Sequence, residues 1–130
     1  MSSPADPMPT QPSASPIDSE VWSVLREDVD AEDLLRVLSL YLEAFPGRVA
    51  GVREAIERLD GDALARVAHP LKSASRQIGA LHLGALCEQL EQAGRDGGLE
   101  RALPLLPVLE QEVVEVHRAL QALLESGLAQ

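Results

Sequence analysis

Residues 61–80 read GDALARVAHPLKSASRQIGA, and the spacing of their side chains decides the fold. Apolar and small residues recur at intervals of three and four, the pattern of a helix that buries one face, at Leu64, Val67, Ala68, Leu71, Ser75 and Ile78. Gly79 is suited to the left-handed position just beyond a helix end. The stretch predicts a helix that begins near Gly61 or Asp62 and stops at Gly79.

His69 lies on roughly the opposite side of this helix when successive residues are placed about 100° apart. Its neighbours on the helix surface are Ala65, Lys72, Ser73 and Arg76. We therefore expect His69 to be an exposed side chain that points to water, and not a core residue held by a hydrogen bond.

The charge around His69 differs from that of the whole chain. The formal net charge is −10, yet no acidic residue lies between Asp62 and Glu88. This interval predicts a neutral-to-basic patch. A neutral imidazole is nucleophilic near neutral pH. A phosphorylated imidazole carries close to two negative charges, which Lys72 one turn away and Arg76 two turns away would stabilise.

The sequence before this helix predicts two more. Asp18 can cap a short helix through about residue 28, and Asp30 can cap a second. One apolar stripe follows in unbroken three-four spacing, at Leu35, Leu38, Leu42, Phe45, Val49, Val52, Ile56 and Leu59. The stripe keeps its phase across Pro46, so we expect one long helix with a kink there.

Two further helices are predicted after Gly79. The first covers about residues 81–94, and the second begins after Pro107 at the latest and continues to about Ser126. Long amphipathic helices joined by short turns are typical of a bundle. The predicted fold is all-α: an antiparallel up-down four-helix bundle with a short N-terminal capping helix.

Composition limits the classes of protein. The chain has 130 residues, 45% of them hydrophobic, and a net charge that argues against nucleic acid or an anionic membrane as a partner. Residues 1–16 hold five prolines among Ser, Ala and Thr, so we expect a disordered tail before a domain at residues 17–128. We see neither a secretory signal nor a membrane span and expect a cytoplasmic monomer.

The residues Ala68-His69-Pro70-Leu71-Lys72-Ser73-Ala74-Ser75-Arg76-Gln77-Ile78-Gly79-Ala80 resemble the motif of the histidine phosphotransfer (HPt) domain family. In that motif the histidine is followed by x-Leu-Lys, by small residues, and then by Gly-Ala. Flanking residues are similar too: Phe45 and residues 59–62 upstream, and Leu83, Cys87, Leu90 and Glu91 downstream. The resemblance covers about residues 21–124.

The resemblance implies a function and a set of site residues. His69 would be phosphorylated on Nε2, Lys72 would help to neutralise the phosphoryl group, and Gly79 would allow a tight turn. Docking would use Ala65, Arg66 and Ser73, the last of which stands where the family often has Gly. The partners would be a response-regulator receiver domain, a hybrid histidine kinase, or both. Mg²⁺ is expected on the receiver only, with no cofactor on this chain.

Two residues depart from the motif, Pro70 and Ser73, and an alternative function stays open. Pro70 follows His69 directly inside the helix, where it removes a backbone hydrogen bond to Arg66. We find no kinase or ATP-binding motif and expect a phosphoryl carrier, not an enzyme. His69, His82 and Cys87 do not converge on a metal site. The alternative is a non-catalytic helical-bundle adaptor that docks a receiver or kinase without phosphotransfer.

Overall fold

A computed structural model describes residues 16–126. This part of the chain contains no strand, so the prediction of an all-α fold is confirmed. Most of the predicted tail at 1–16, and residues 127 and 128 of the predicted domain, lie outside the described residues. The elements are α1 (Ser19–Asp28), α2 (Ala31–Glu57), α3 (Gly61–Gln77), α4 (Leu81–Asp96), a short 3₁₀ helix (Leu99–Arg101) and α5 (Leu105–Ser126).

Aspartate side chains begin the first three helices. Asp18 and Asp30 accept hydrogen bonds from backbone N–H groups in the first turns of α1 and α2, as predicted. Asp60 caps α3 in the same way by accepting from Ala63, which explains why α3 begins at Gly61. Gly79 has a φ of +87°, the predicted left-handed conformation. The helix α3 itself ends at Gln77, two residues before Gly79.

The predicted stripe of α2 is correct in its middle and wrong at both ends. Leu38, Phe45 and Val52 are fully buried, and the helix continues through Pro46. Leu35 is 40% exposed, and Leu34 is buried in its place. Viewed along the helix axis, Leu34 lies about 40° from Leu38, on the side that also carries the buried Val52. Leu35 lies about 60° from Leu38 on the opposite side, which faces solvent. Leu59 lies beyond the helix and is 71% exposed.

The backbones of α3 and α4 touch where α3 begins and α4 ends. A Cβ atom on Gly94 would lie 2.5 Å from the carbonyl oxygen of Gly61 and 2.9 Å from the backbone nitrogen of Ala65. At the other end of the pair, the side chain of Arg76 lies over Gly84. Gly94 is therefore a packing residue inside α4, and the helix continues two residues past its predicted end to stop before the left-handed Gly97.

The outer helices cover the remaining core. The backbone N–H of Asp18 donates to the carbonyl of Gly79 at 2.7 Å, so α1 begins against the turn between α3 and α4, and Trp22 of α1 is buried. On the other side, α5 begins at Leu105, with Pro107 in its first turn, where a backbone donor is not needed. Arg53 of α2 forms an ion pair with Glu110 of α5.

Candidate functional site around His69

His69 lies in the middle of α3 on its exposed face, between the buried residues Ala68 and Leu71. Its side chain is 56% exposed, as the sequence predicts. A hydrogen bond nevertheless holds the ring, because Nδ1 lies 2.9 Å from Oε2 of Glu91 on α4. The expectation that no hydrogen bond fixes this histidine is therefore wrong.

The hydrogen bond to Glu91 determines which ring nitrogen of His69 is nucleophilic. A carboxylate can only accept, so Nδ1 must carry the hydrogen. In the neutral imidazole the other nitrogen, Nε2, then has the free lone pair. The orientation of the ring is also fixed, as it is for histidines whose second nitrogen bonds to a carboxylate in metal sites. The arrangement presents one defined nucleophilic nitrogen to an incoming electrophile.

Glu91 is the most constrained charged group of the site. Its side chain is only 5% exposed and contacts three basic residues. Oε1 lies 2.7 Å from Nζ of Lys72, and Oε2 accepts from Arg95 at 2.6 Å in addition to His69. Burial alone would raise the pKa of Glu91, but hydrogen bonds from Lys72, Arg95 and His69 lower that pKa to about 2. Glu91 is therefore ionised throughout the physiological range.

The two predicted phosphoryl-stabilising residues are placed differently. Lys72 is 17% exposed and shares Glu91 with His69, so the structure brings it to the site. Arg76 forms an ion pair with Glu88 of α4 and has no contact with His69. The predicted neutral-to-basic patch is corrected here, because α4 packs Glu91 against Lys72 and Glu88 against Arg76.

An open groove lies beside His69 on the side where α3 begins. Ala65 and Arg66, both predicted to contact a partner, line it together with Asp62 and with Arg95 of α4. Ser73 is exposed one turn beyond His69, and Pro70 is exposed next to it without ending the helix. The groove beside His69 therefore presents one small side chain, two guanidinium groups and the carboxylate of Asp62.

Reasoning from the sequence did not assign roles to Glu91 and Arg95. A signal was present for both: Glu91 follows Cys87 by four residues on the buried stripe of α4, where an isolated charged side chain needs partners. Arg95 follows Glu91 by one further turn, the spacing of a helical ion pair. Glu91 reaches His69, with Arg95 paired to it, only because α3 and α4 are in close contact.

The described residues hold no cluster of histidine, cysteine and carboxylate side chains suited to a metal ion. Cys87 is fully buried, and burial raises the pKa of its thiol to about 12, which is typical of an inert core cysteine.

Among residues 16–126, the helices are not long and apolar enough to cross a membrane.

Comparison with known proteins identifies a family and a similar solved structure. Residues 36–126 match the model of the Hpt domain family. Among solved structures, the chain is similar to the crystal structure of histidine-containing phosphotransfer protein B (HptB) from Pseudomonas aeruginosa PAO1. The TM-score is 0.81 at 28% sequence identity, and the alignment covers 87% of this chain and 97% of that chain. No curated protein matches.

Proposed function

The chain belongs to the Hpt domain family, and from this premise we propose that it accepts a phosphoryl group on Nε2 of His69 and exchanges it with the aspartate of a response-regulator receiver domain. Family membership and the likeness to HptB support a histidine phosphotransfer protein of two-component signalling. The hydrogen bond from Nδ1 of His69 to Glu91 is the observation that carries the assignment of the acceptor atom.

The proposed step is an in-line displacement on phosphorus. The lone pair of Nε2 attacks the phosphorus of the receiver's aspartyl phosphate, the N–P bond forms, and the P–O bond to the aspartate breaks as the carboxylate leaves. Nδ1 keeps its hydrogen throughout, and the positive charge that develops on the ring is stabilised by Glu91. The reverse reaction returns the group to the receiver, which supplies the Mg²⁺.

Lys72 and Arg95 are the cations best placed to stabilise the phosphoryl group. Together with Glu91 they form a cluster with one positive charge in excess, next to the nitrogen that would carry the phosphoryl group. Arg76 would have to leave Glu88 before it could contribute. We therefore rank Lys72 and Arg95 before Arg76.

The proposal extends to architecture and cellular setting. We infer that α2 to α5 form an antiparallel up-down four-helix bundle with α1 as its cap, since the start of α3 contacts the end of α4. The protein would act as a cytoplasmic monomer with a receiver domain, a hybrid histidine kinase or both as partners. It would have no nucleic-acid or membrane partner and no cofactor of its own.

The test is transfer from a phosphorylated receiver to the purified chain. We expect a label on the wild type that is stable in base and lost in acid, as for a phosphoramidate, and no label on His69→Gln. His82→Gln is the matched control, because His82 is an exposed histidine on the neighbouring helix α4, and it should be labelled normally. Labelling of His69→Gln would refute the assignment. Binding of the receiver by an unlabelled wild type would instead identify an adaptor.

A further inference from the structure

Arg66 on α3 has no carboxylate within ion-pair distance among residues 16–126, and the same holds for Arg48 on α2. Carboxylates are not scarce, because the sequence has 21 acidic residues against 11 basic ones. The guanidinium of Arg66 is therefore available to an anion from outside the chain. Arg26 has an interaction partner. The basic residues that form ion pairs are Arg36, Arg53, Arg58, Lys72, Arg76, Arg95, Arg101 and Arg118.

Arg66 lines the open groove beside His69, together with Asp62, Ala65 and Arg95. The groove has a volume of about 460 Å³, which is within the range of sites that bind small molecules. Its lining side chains are polar or charged except for Ala65. A small ionic ligand therefore suits the groove better than an apolar one.

The guanidinium of Arg95 is held in a fixed orientation at the α4 side of this groove. It donates two hydrogen bonds to Oε2 of Glu91, at 3.2 and 2.6 Å. A guanidinium has five N–H donors, and these two bonds leave three of them for a ligand. The same carboxylate oxygen lies 2.9 Å from Nδ1 of His69. Glu91 thus orients one cation and the nucleophilic ring together, and Arg66 adds a second cation.

We propose that this groove binds a small acyl phosphate and that His69 takes the phosphoryl group from it directly, without a receiver domain. The inference rests on the proposed function for the identity of the acceptor nitrogen, Nε2. Arg66 and Arg95 bind the phosphoryl oxygens, because the planar N–H fork of a guanidinium matches their geometry. The two guanidinium groups also stabilise the negative charge on these oxygens as the phosphoryl group moves.

The chemistry of the groove favours an acyl phosphate over other phosphoryl donors. The lone pair of Nε2 attacks phosphorus, the N–P bond forms, and the P–O bond to the acyl group breaks. The electron pair of that bond leaves with the carboxylate, which needs no proton, and Nδ1 keeps its hydrogen. Guanidinium groups do not release protons. Phosphate esters, whose alkoxide leaving group needs a proton, are therefore disfavoured.

The test uses the purified full chain and radiolabelled acetyl phosphate, with no receiver present. We expect the wild type to be labelled at a rate that saturates at millimolar donor concentration, because the groove is open to solvent. The label should be stable in base and lost in acid, and His69→Gln should take up none. Inorganic phosphate should compete with acetyl phosphate for the groove and slow the labelling.

Three variants test the charges of the groove. Arg66→Gln should lower the second-order rate constant of labelling about tenfold, because the phosphoryl group loses a charge-assisted hydrogen-bond partner. Asp62→Asn should raise this rate constant about threefold, because it removes a negative charge from the groove. Arg48→Gln is the matched control, since Arg48 lies outside the groove. It should be labelled as the wild type is.

Two results would overturn the inference while leaving the proposed function intact. One is equal labelling of wild type, Arg66→Gln and Asp62→Asn at rates that rise linearly with donor, as for an exposed imidazole that reacts without a binding site. The other is a wild type that takes label from a phosphorylated receiver but none from acetyl phosphate. Label on His69→Gln from acetyl phosphate would place the reaction at another residue and also overturn the inference. A wild type that takes label from neither donor would overturn both proposals.

Discussion

Glu91 is buried among Lys72, Arg95 and His69, and its carboxylate connects the exposed imidazole to the packing of α4. A buried carboxylate is tolerated only when its oxygens are paired, and here both contact basic groups. The same residue orients His69 and neutralises Lys72. Stability and reactivity are therefore linked through one side chain.

Glu91→Gln should destabilise the protein in a pH-dependent way. Because the folded-state pKa of Glu91 is lowered from 4.5 to about 2, its contribution is complete above pH 4.5 and is lost as the pH falls toward 2. The difference in the free energy of unfolding between wild type and variant should reach at most about 3 kcal/mol at pH 7 and vanish near pH 2. Urea unfolding across this pH range measures it.

Glu112 on α5 provides a control of opposite sign. Burial raises the pKa of Glu112, as does the nearby Glu115, although His82 opposes the effect. A raised folded-state pKa gives a contribution that is present at low pH and is lost as the pH rises through that value. Glu112→Gln should therefore be at least as stable as the wild type at pH 7. A loss of stability like that of Glu91→Gln would contradict the raised pKa of Glu112.

At the residue scale, the sequence predicted the exposed histidine but not its environment. The three-four spacing of the apolar residues around His69 predicts that its side chain faces solvent, and this prediction does not depend on where the other helices lie. The pairing of Lys72 with Glu91 depends on which residue of α4 faces α3, and periodicity within one helix does not determine that register. For the same reason, helical spacing alone predicts Arg76 beside the phosphoryl group, whereas in the structure α4 supplies Glu88 to it.

At the scale of elements, the crossing of α3 and α4 determines the geometry of the site. Gly61 and Gly94 allow the two backbones to touch. Glu91 lies close to Gly94 on α4 and reaches His69 across this crossing, and Arg95 pairs with Glu91. A wider separation of the helices would move the carboxylate out of hydrogen-bond distance from Nδ1.

Gly94→Ala should destabilise the protein and weaken phosphotransfer together. The new Cβ would lie 2.5 Å from the carbonyl oxygen of Gly61, which is backbone and must move with α3. We expect a loss of about 1–3 kcal/mol in the free energy of unfolding. Gly47→Ala in α2 is the matched control, since a Cβ there meets nothing within 4 Å. That variant should gain about 0.5–1 kcal/mol; thermal unfolding distinguishes the two.

The helices themselves were largely predictable, and their exact faces were not. Capping by Asp18 and Asp30 and the left-handed Gly79 are local signals, and the structure confirms each. Neither Pro46 nor Pro70 interrupts its helix, because the apolar pattern continues in phase on both sides. The choice between Leu34 and Leu35 depends on where the neighbouring helices lie, which the pattern of α2 alone does not contain.

At the scale of the whole molecule, charge is distributed unevenly. The chain has a net charge of −10, and most of its described cations are neutralised by nearby carboxylates. Arg66, which lines the groove beside His69, stands apart from this pattern. The acidic body disfavours contact with other polyanions such as nucleic acids.

Because Trp22 is buried, its fluorescence emission reports whether α1 stays packed against the other helices. Trp22 is the only tryptophan of the chain and is 7% exposed. Gly79→Ala would place a methyl group 3.2 Å from both the carbonyl oxygen of Asp18 and Cβ of Val21, at a φ of +87°. We expect α1 to detach, so that tryptophan emission shifts to longer wavelength while far-UV circular dichroism changes little. Emission and circular dichroism that change in parallel on heating this variant would instead show that α1 unfolds only with the rest of the molecule.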